Sequence, residues 1–200
     1  MVKLQLHRVL EGIPSNRLKI TAYLAYLAAW LVFAIAALIG SLPRLRRGQA
    51  GMTSMPAMPV VIGTALQALA AMVMTRSMGS DSLRPGLYEL AGAQVLAPLG
   101  AALFVWAVRS GPSEVGADKL ITEGAYRWLR HPIYLAFLAM LVATGLLISA
   151  GVQLILAVLV YLAGSEFRIA VEERELARKF PEAYAQYRRR TRWRYLPGLR

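Results

Sequence analysis

Hydrophobic and polar positions divide this chain into long apolar runs joined by short, mostly basic connections. The first run, about Ile20 to Leu42, carries no charge and is long enough to cross a bilayer, which takes roughly 20 apolar residues. Pro43, Arg44, Arg46 and Arg47 are expected to end it. A second run covers about Val60 to Met74 and stops at Arg76. A third covers about Leu87 to Val108, with Glu89 near one end and Arg109 at the other. From Ile133 to Gly164 the chain is almost uninterrupted apolar sequence, 32 residues long. As one helix that stretch would be about 48 Å long, against a hydrocarbon core of about 30 Å. Ser149-Ala150-Gly151 lies at its midpoint and suits a turn. The pattern therefore predicts two helices, Ile133–Ile148 and Val152–Val171, folded back as a hairpin. Beyond them Pro181 is placed to restart a helix, PEAYAQYRRR, with Tyr184 and Tyr187 on one face.

The fold class expected is all-α: a polytopic membrane protein with five transmembrane helices, a hairpin of the fourth and fifth, and an amphipathic C-terminal helix. Composition agrees. The 200 residues are 57% hydrophobic and 17% charged, where soluble domains are about 45–50% apolar and about 25% charged. The mean hydropathy is +0.47. Without cysteine there is no disulfide framework or thiol site, and two separated histidines, His7 and His131, give no basis for a metal site. The net charge of +12 fits basic loops beside anionic lipid, not nucleic acid, for which no recognition motif is present. The first 19 residues mix Lys3, Arg8, Glu11, Arg17 and Lys19 with apolar positions. They are expected to form a short surface helix, not a cleavable signal peptide.

Five spans place 17 of the 23 Lys and Arg residues on one side, which the positive-inside rule makes cytoplasmic, with the N-terminus outside. Four spans divide them 16 to 7, so charge does not decide the hairpin. The hairpin decides whether His131 and Glu172-Glu173 share a face.

One stretch stands apart from this pattern, Leu120 to Tyr134, reading LITEGAYRWLRHPIY. A glycine, aromatics, arginines and a histidine crowd against the start of an apolar run. Pro132 suits the first position of a helix, where its missing N–H costs nothing. His131 then caps that helix, beside free N–H groups that attract a carboxylate or phosphate. Taken alone, His131 reads as an interfacial cap, Glu172 and Glu173 as a solvated face paired with Arg168, Arg174 and Arg178, and Arg188-Arg189-Arg190 as a lipid-surface anchor.

Taken together, GAYRWLRHPIY, the downstream EERELARKFPEAYAQY and the terminal Leu196-Pro197 resemble the isoprenylcysteine carboxyl methyltransferase family. Phospholipid N-methyltransferases belong to the wider group. The residues carrying the resemblance are Leu120, Gly124, Tyr126, Arg130-His131-Pro132, Tyr134, Arg168, Glu172-Glu173, Leu176, Phe180, Tyr184, Tyr187 and Pro197, within the last 80 residues or so. Residues 1–110 match only in being membrane helices.

The resemblance implies a site for S-adenosyl-L-methionine, released as S-adenosyl-L-homocysteine, within a methyltransferase core of residues 111–200. Residues 1–110 would then form the lipid-substrate side. It places His131 and Tyr134 on the methionine moiety or ribose, and Glu172 and Glu173 on the ammonium or hydroxyls. Leu120, Ile121 and Tyr126 fall on the adenine side. Gly124, Arg130 and Pro132 complete the cofactor set, and Arg168 and Glu173 are the catalytic candidates, with Arg168 facing the substrate. A carboxylate nucleophile needs no base, so alignment and desolvation can carry the reaction. An amine would need one, with Glu173 or His131 available. The expected activity is carboxyl methylation of an isoprenylcysteine-like or other lipidic molecule from a cytoplasmic site. The alternatives are phospholipid or amine N-methylation, and a non-catalytic helical membrane protein used for binding or assembly. The expected partners are the bilayer and a lipophilic substrate; the sequence leaves oligomeric state open.

Overall fold

The computed structural model describes residues 15–46, 58–75, 85–111, 120–148 and 151–195, and these are all-helical. Six α-helices follow in order: α1 Ser15–Arg46, α2 Met58–Thr75, α3 Leu87–Ser110, α4 Pro132–Ile148, α5 Gly151–Lys179 and α6 Pro181–Arg190. A 3₁₀ turn, Gly124–Arg127, lies between α3 and α4. Helices α1 to α5 coincide with the five apolar runs. By length and composition α3 and α5 can each cross a membrane, while α4 and the Tyr23–Ala36 part of α1 are shorter apolar helices.

Several boundaries differ from the sequence reading. Helix α1 starts at Ser15, so the last residues assigned to a surface segment belong to it; residues 1–14 lie outside the described residues. It also runs past Pro43 to Arg46, because a proline near a helix end forfeits only one N–H bond. Of the expected break, Ser149 and Ala150 lie outside the described residues; α4 ends at Ile148 and α5 begins at Gly151. Helix α5 continues beyond Val171 to Lys179, so one helix carries both the apolar run and the Glu172-Glu173 pair. Pro132 and Pro181 open α4 and α6 as expected.

Helix α2 lies against α5, and the contact closes at two glycines. A Cβ on Gly63 would stand 2.6 Å from the Gly164 carbonyl oxygen, and one on Gly164 would stand 2.7 Å from that of Gly63. Lipid offers little drive for helices to associate, so small residues that admit close backbone packing carry such contacts. Helix α3 packs on α4 through Ala93, Ala97, Ala101, Ala136, Met140 and Ala143, all buried. Helix α1 joins through Phe33, which stacks on Phe104 at 4.0 Å and meets Phe137 edge-on at 4.9 Å. The start of α4 is tied to α5 where Tyr161 Oη donates to the Tyr134 carbonyl at 2.8 Å.

The outer surface is apolar. Leu24, Leu31, Leu38, Leu99, Val152, Ile155 and Leu159 are each more than half exposed. Water penalises so large an exposed area and lipid does not. This is the surface of a membrane protein.

Candidate active site

The stretch singled out in the sequence is pinned from both sides. Ser110, the last residue of α3, donates from Oγ to the Trp106 carbonyl at 2.7 Å and accepts the Ala125 N–H at 3.2 Å. Gly124 makes that approach possible: its φ is 60°, and a Cβ there would collide with Ser110 Oγ. Both features favour glycine. From the other side, Tyr187 Oη of α6 donates to the Tyr126 carbonyl at 2.7 Å, and Thr191 Oγ1 donates to the Arg127 carbonyl at 3.1 Å. The chain after α6 then runs beside the junction, where Arg130 N–H bonds Trp193 O at 3.0 Å and His131 N–H bonds Arg194 O at 2.8 Å.

A charged network sits on this frame. Arg130 is buried; its Nε donates to Glu173 Oε1 at 2.9 Å, and its Nη1 reaches the carbonyls of Thr191 and Arg192 at 2.8 and 2.9 Å. Arg194 bridges Glu173 Oε2 at 3.1 Å and Glu166 Oε2 at 2.8 Å. His131 lies between the paired carboxylates, with Nδ1 3.4 Å from Glu172 Oε2 and Nε2 3.5 Å from Glu173 Oε1. Burial disfavours its charged form. The hydrogen bonding and charge of Glu172 and then Glu173 outweigh that cost and raise its pKa above the usual 6.5. Tyr134 donates from Oη to Glu172.

Arg168 stands one turn before Glu172, with Nη2 3.9 Å from Glu172 Oε1 and the guanidinium 5.6 Å from the centre of the Tyr134 ring. Its Nη1 donates to Gln67 Oε1 at 3.2 Å, and Gln67 donates in turn to Ser165 Oγ at 3.2 Å. Helix α2 thus helps to fix an α5 side chain across the Gly63–Gly164 contact.

These groups open onto a cavity of about 590 Å³, within the range of small-molecule sites. Tyr126, His131, Tyr134, Arg168, Glu172 and Gln67 form its polar end, and Ile133, Phe137, Leu141, Ala71 and Trp30 its apolar part. One donor at the polar end, Arg168 Nε, is buried without a hydrogen-bond partner. Buried donors normally have partners, and this one suits an anionic group of a bound molecule.

The expected site residues divide into two sets. Tyr126, His131, Tyr134, Arg168 and Glu172 line the cavity; Leu120, Ile121, Gly124, Arg130, Pro132 and Glu173 do not. Gly124 forms the turn against α3, Pro132 begins α4, and Arg130 and Glu173 face each other behind His131. The sequence reading passed over Gln67, Trp30, Thr144 and Tyr161, which also line the cavity, and Arg194. Gln67 left a signal, as the one amide in the run Val60–Met74: polar side chains in membrane helices face the bundle interior.

Comparison with known proteins covers much of this site. Residues 95–178 match the isoprenylcysteine carboxyl methyltransferase (ICMT) family. The family resemblance is real. The match takes in α4, most of α5 and the junction, and leaves out α1, α2 and α6. A curated relative, the protein-S-isoprenylcysteine O-methyltransferase of Schizosaccharomyces pombe, is 35% identical over 71 residues. Those residues are 36% of this chain and span 30% of the length of the ICMT relative.

Proposed function

We propose that this protein is an integral membrane methyltransferase that uses S-adenosyl-L-methionine to methylate a carboxyl group on a lipophilic, isoprenylcysteine-like substrate. One observation carries the reading: a single cavity joins the polar cluster of His131, Tyr134, Arg168 and Glu172 to an apolar channel along α4. A cofactor with an ammonium needs an acid at the polar end, which Glu172 supplies beside His131 and Tyr134, while the unpartnered Arg168 Nε is left for a substrate carboxylate. The ICMT match over the same helices supports the choice of reaction.

In this reading α1 to α5 all span the membrane, α4 and α5 form a hairpin, the N-terminus is outside, and the cofactor end and C-terminus are cytoplasmic. Residues 1–110 supply most of the lipid-facing wall, and residues 111–200 the cofactor side. His131, Tyr134 and Glu172 hold the amino-acid and ribose groups, while Tyr126 lines the adenine side and Leu120 and Ile121 lead into it from outside the cavity. Glu173, Arg130, Pro132 and Gly124 hold those groups in place.

When bound, the cofactor supplies an electrophilic methyl group. The protein's own contribution is alignment. Arg168, fixed by Gln67, Glu172 and the Tyr134 ring, faces the cavity and positions the substrate carboxylate. Phe137, Leu141 and Ile133 exclude water beside it. The paired carboxylates raise the pKa of His131, which favours its protonated, donating form over a role as base.

Radiolabelled methyl transfer from S-adenosyl-L-methionine into membrane extracts tests the reading. The product should be a base-labile ester in a lipid-soluble molecule. A base-stable product would move the reaction to N-methylation, and no transfer into any lipidic acceptor would contradict catalysis.

A further inference from the structure

A second surface lies behind the cavity, on the outer side of the junction. Arg127, Arg188, Arg189, Arg190 and Arg192 are all exposed there. Trp128 and Trp193 stand among them, 63% and 44% exposed. Among the described residues none of these five arginines has a carboxylate within ion-pair distance, whereas Arg130 and Arg194 beside them each pair with glutamates. Two open hollows lie in the patch. One, of about 470 Å³, is bordered by Arg130, Arg188, Arg189 and Arg192; the other, of about 500 Å³, by Arg127, Trp128, Arg190, Thr191, Arg192 and Trp193.

The patch is rigid. Arg130 Nη1 holds the carbonyls of Thr191 and Arg192, Thr191 Oγ1 holds the Arg127 carbonyl, and Arg130 N–H holds Trp193 O. Its level is fixed as well. The strap from Thr191 to Tyr195 runs along α5 from Glu173 toward Glu166. Arg194 bridges those two acids, and Tyr195 is buried with Tyr134 and Ile169. Trp128 and Trp193 therefore sit where the apolar helices begin, the depth tryptophan prefers at a bilayer surface.

We infer that this basic collar binds the headgroups of anionic phospholipids in the surrounding bilayer. Five unpaired guanidinium groups present planar forks that match phosphate oxygens, and two tryptophans seat the collar at headgroup depth. A free-solution polyanion would use the charge but not the tryptophans or their depth. The proposal rests on the membrane character of the chain and not on methyl transfer. Because Arg130 shares the strap with the collar, a headgroup there also lies against the residue that holds Glu173.

The test reconstitutes the whole protein in nanodiscs of phosphatidylcholine with a minority of phosphatidylglycerol, re-extracts it in mild detergent, and measures retained lipid by mass spectrometry. Phosphatidylglycerol should be enriched over its input share at least about fivefold, the effect of one basic residue near an anionic surface. Replacing Arg127, Arg188, Arg190 and Arg192 together by Gln should bring the ratio down toward input, with unchanged helical circular dichroism. Replacing the same four by Lys should keep most of the enrichment. If the Gln set does not fold, wild type decides: enrichment must collapse in about 1 M salt, where screening is within a few ångströms. Retention at the input ratio in wild type overturns the proposal, as does enrichment untouched by the Gln set or by salt. So does displacement of the lipid by a single-stranded oligonucleotide at equal phosphate concentration, which would mark a nucleic-acid surface instead.

Discussion

Arg130 and Glu173, 43 residues apart in sequence, meet in a buried charge pair at 2.9 Å. The side chains are 3% and 11% exposed; the other hydrogen bonds of the pair go to the strap after α6, and His131 Nε2 stands 3.5 Å from Glu173 Oε1. The pair therefore joins three separate segments behind His131.

Removing one partner strands a buried charge. Arg130→Ala is expected to destabilise the protein by about 3–5 kcal/mol, the usual cost of breaking such a pair. Unfolding of purified protein in mild detergent measures it. A loss below about 1 kcal/mol would mean the pair behaves like a surface ion pair.

The pH dependence of the junction follows from His131. Its pKa is raised in the folded protein, so it binds its proton more tightly folded than unfolded. Its contribution to stability is complete below its ordinary value of 6.5 and is lost as pH rises through the raised value. Titration of the imidazole by nuclear magnetic resonance should give a pKa above 6.5. The stability gap between wild type and His131→Gln should narrow as pH rises. A pKa below 6.5, or a gap that widens with pH, would contradict the paired-carboxylate geometry.

The Gly63–Gly164 contact makes a separate demand. A Cβ on Gly164 would lie 2.7 Å from Gly63 O and 2.9 Å from Leu66 Cβ, and backbone cannot yield as a side-chain tip can. Gly164→Val is expected to cost about 1–3 kcal/mol through overpacking, and Gly164→Ala less. Thermal unfolding measures both. A neutral Gly164→Val would show that α2 and α5 do not pack this closely.

Much of the fold was legible because its signal is local. Apolar runs gave α1 to α5, two of them long enough to cross a membrane, and Pro132 and Pro181 marked two helix starts by their own geometry. Glu172 and Glu173 were harder. The sequence reading puts both on the cofactor, whereas Glu172 opens on the cavity and Glu173 meets Arg130 and Arg194. That division depends on α4 lying beside α5 and on a strap 21 residues beyond Glu173, relations between distant segments that no local pattern carries. Gln67 and Trp30 became cavity residues for the same reason: packing of α1 and α2 brings them there.

The orientation proposed for the chain has a direct consequence. Reporter tags inserted after Arg109 and fused at Arg200 should both label from the cytoplasmic side in intact cells. Opposite sides would rule out a membrane-crossing hairpin of α4 and α5.

The most direct test is calorimetric titration of S-adenosyl-L-homocysteine into the purified whole protein, in detergent and in lipid nanodiscs. The account predicts saturable one-to-one binding. Glu172→Gln and His131→Ala should each weaken it at least about tenfold, roughly 1.4 kcal/mol, with helical content unchanged. Folded wild-type protein that binds none in either medium would contradict it, as would variants that bind as tightly as wild type.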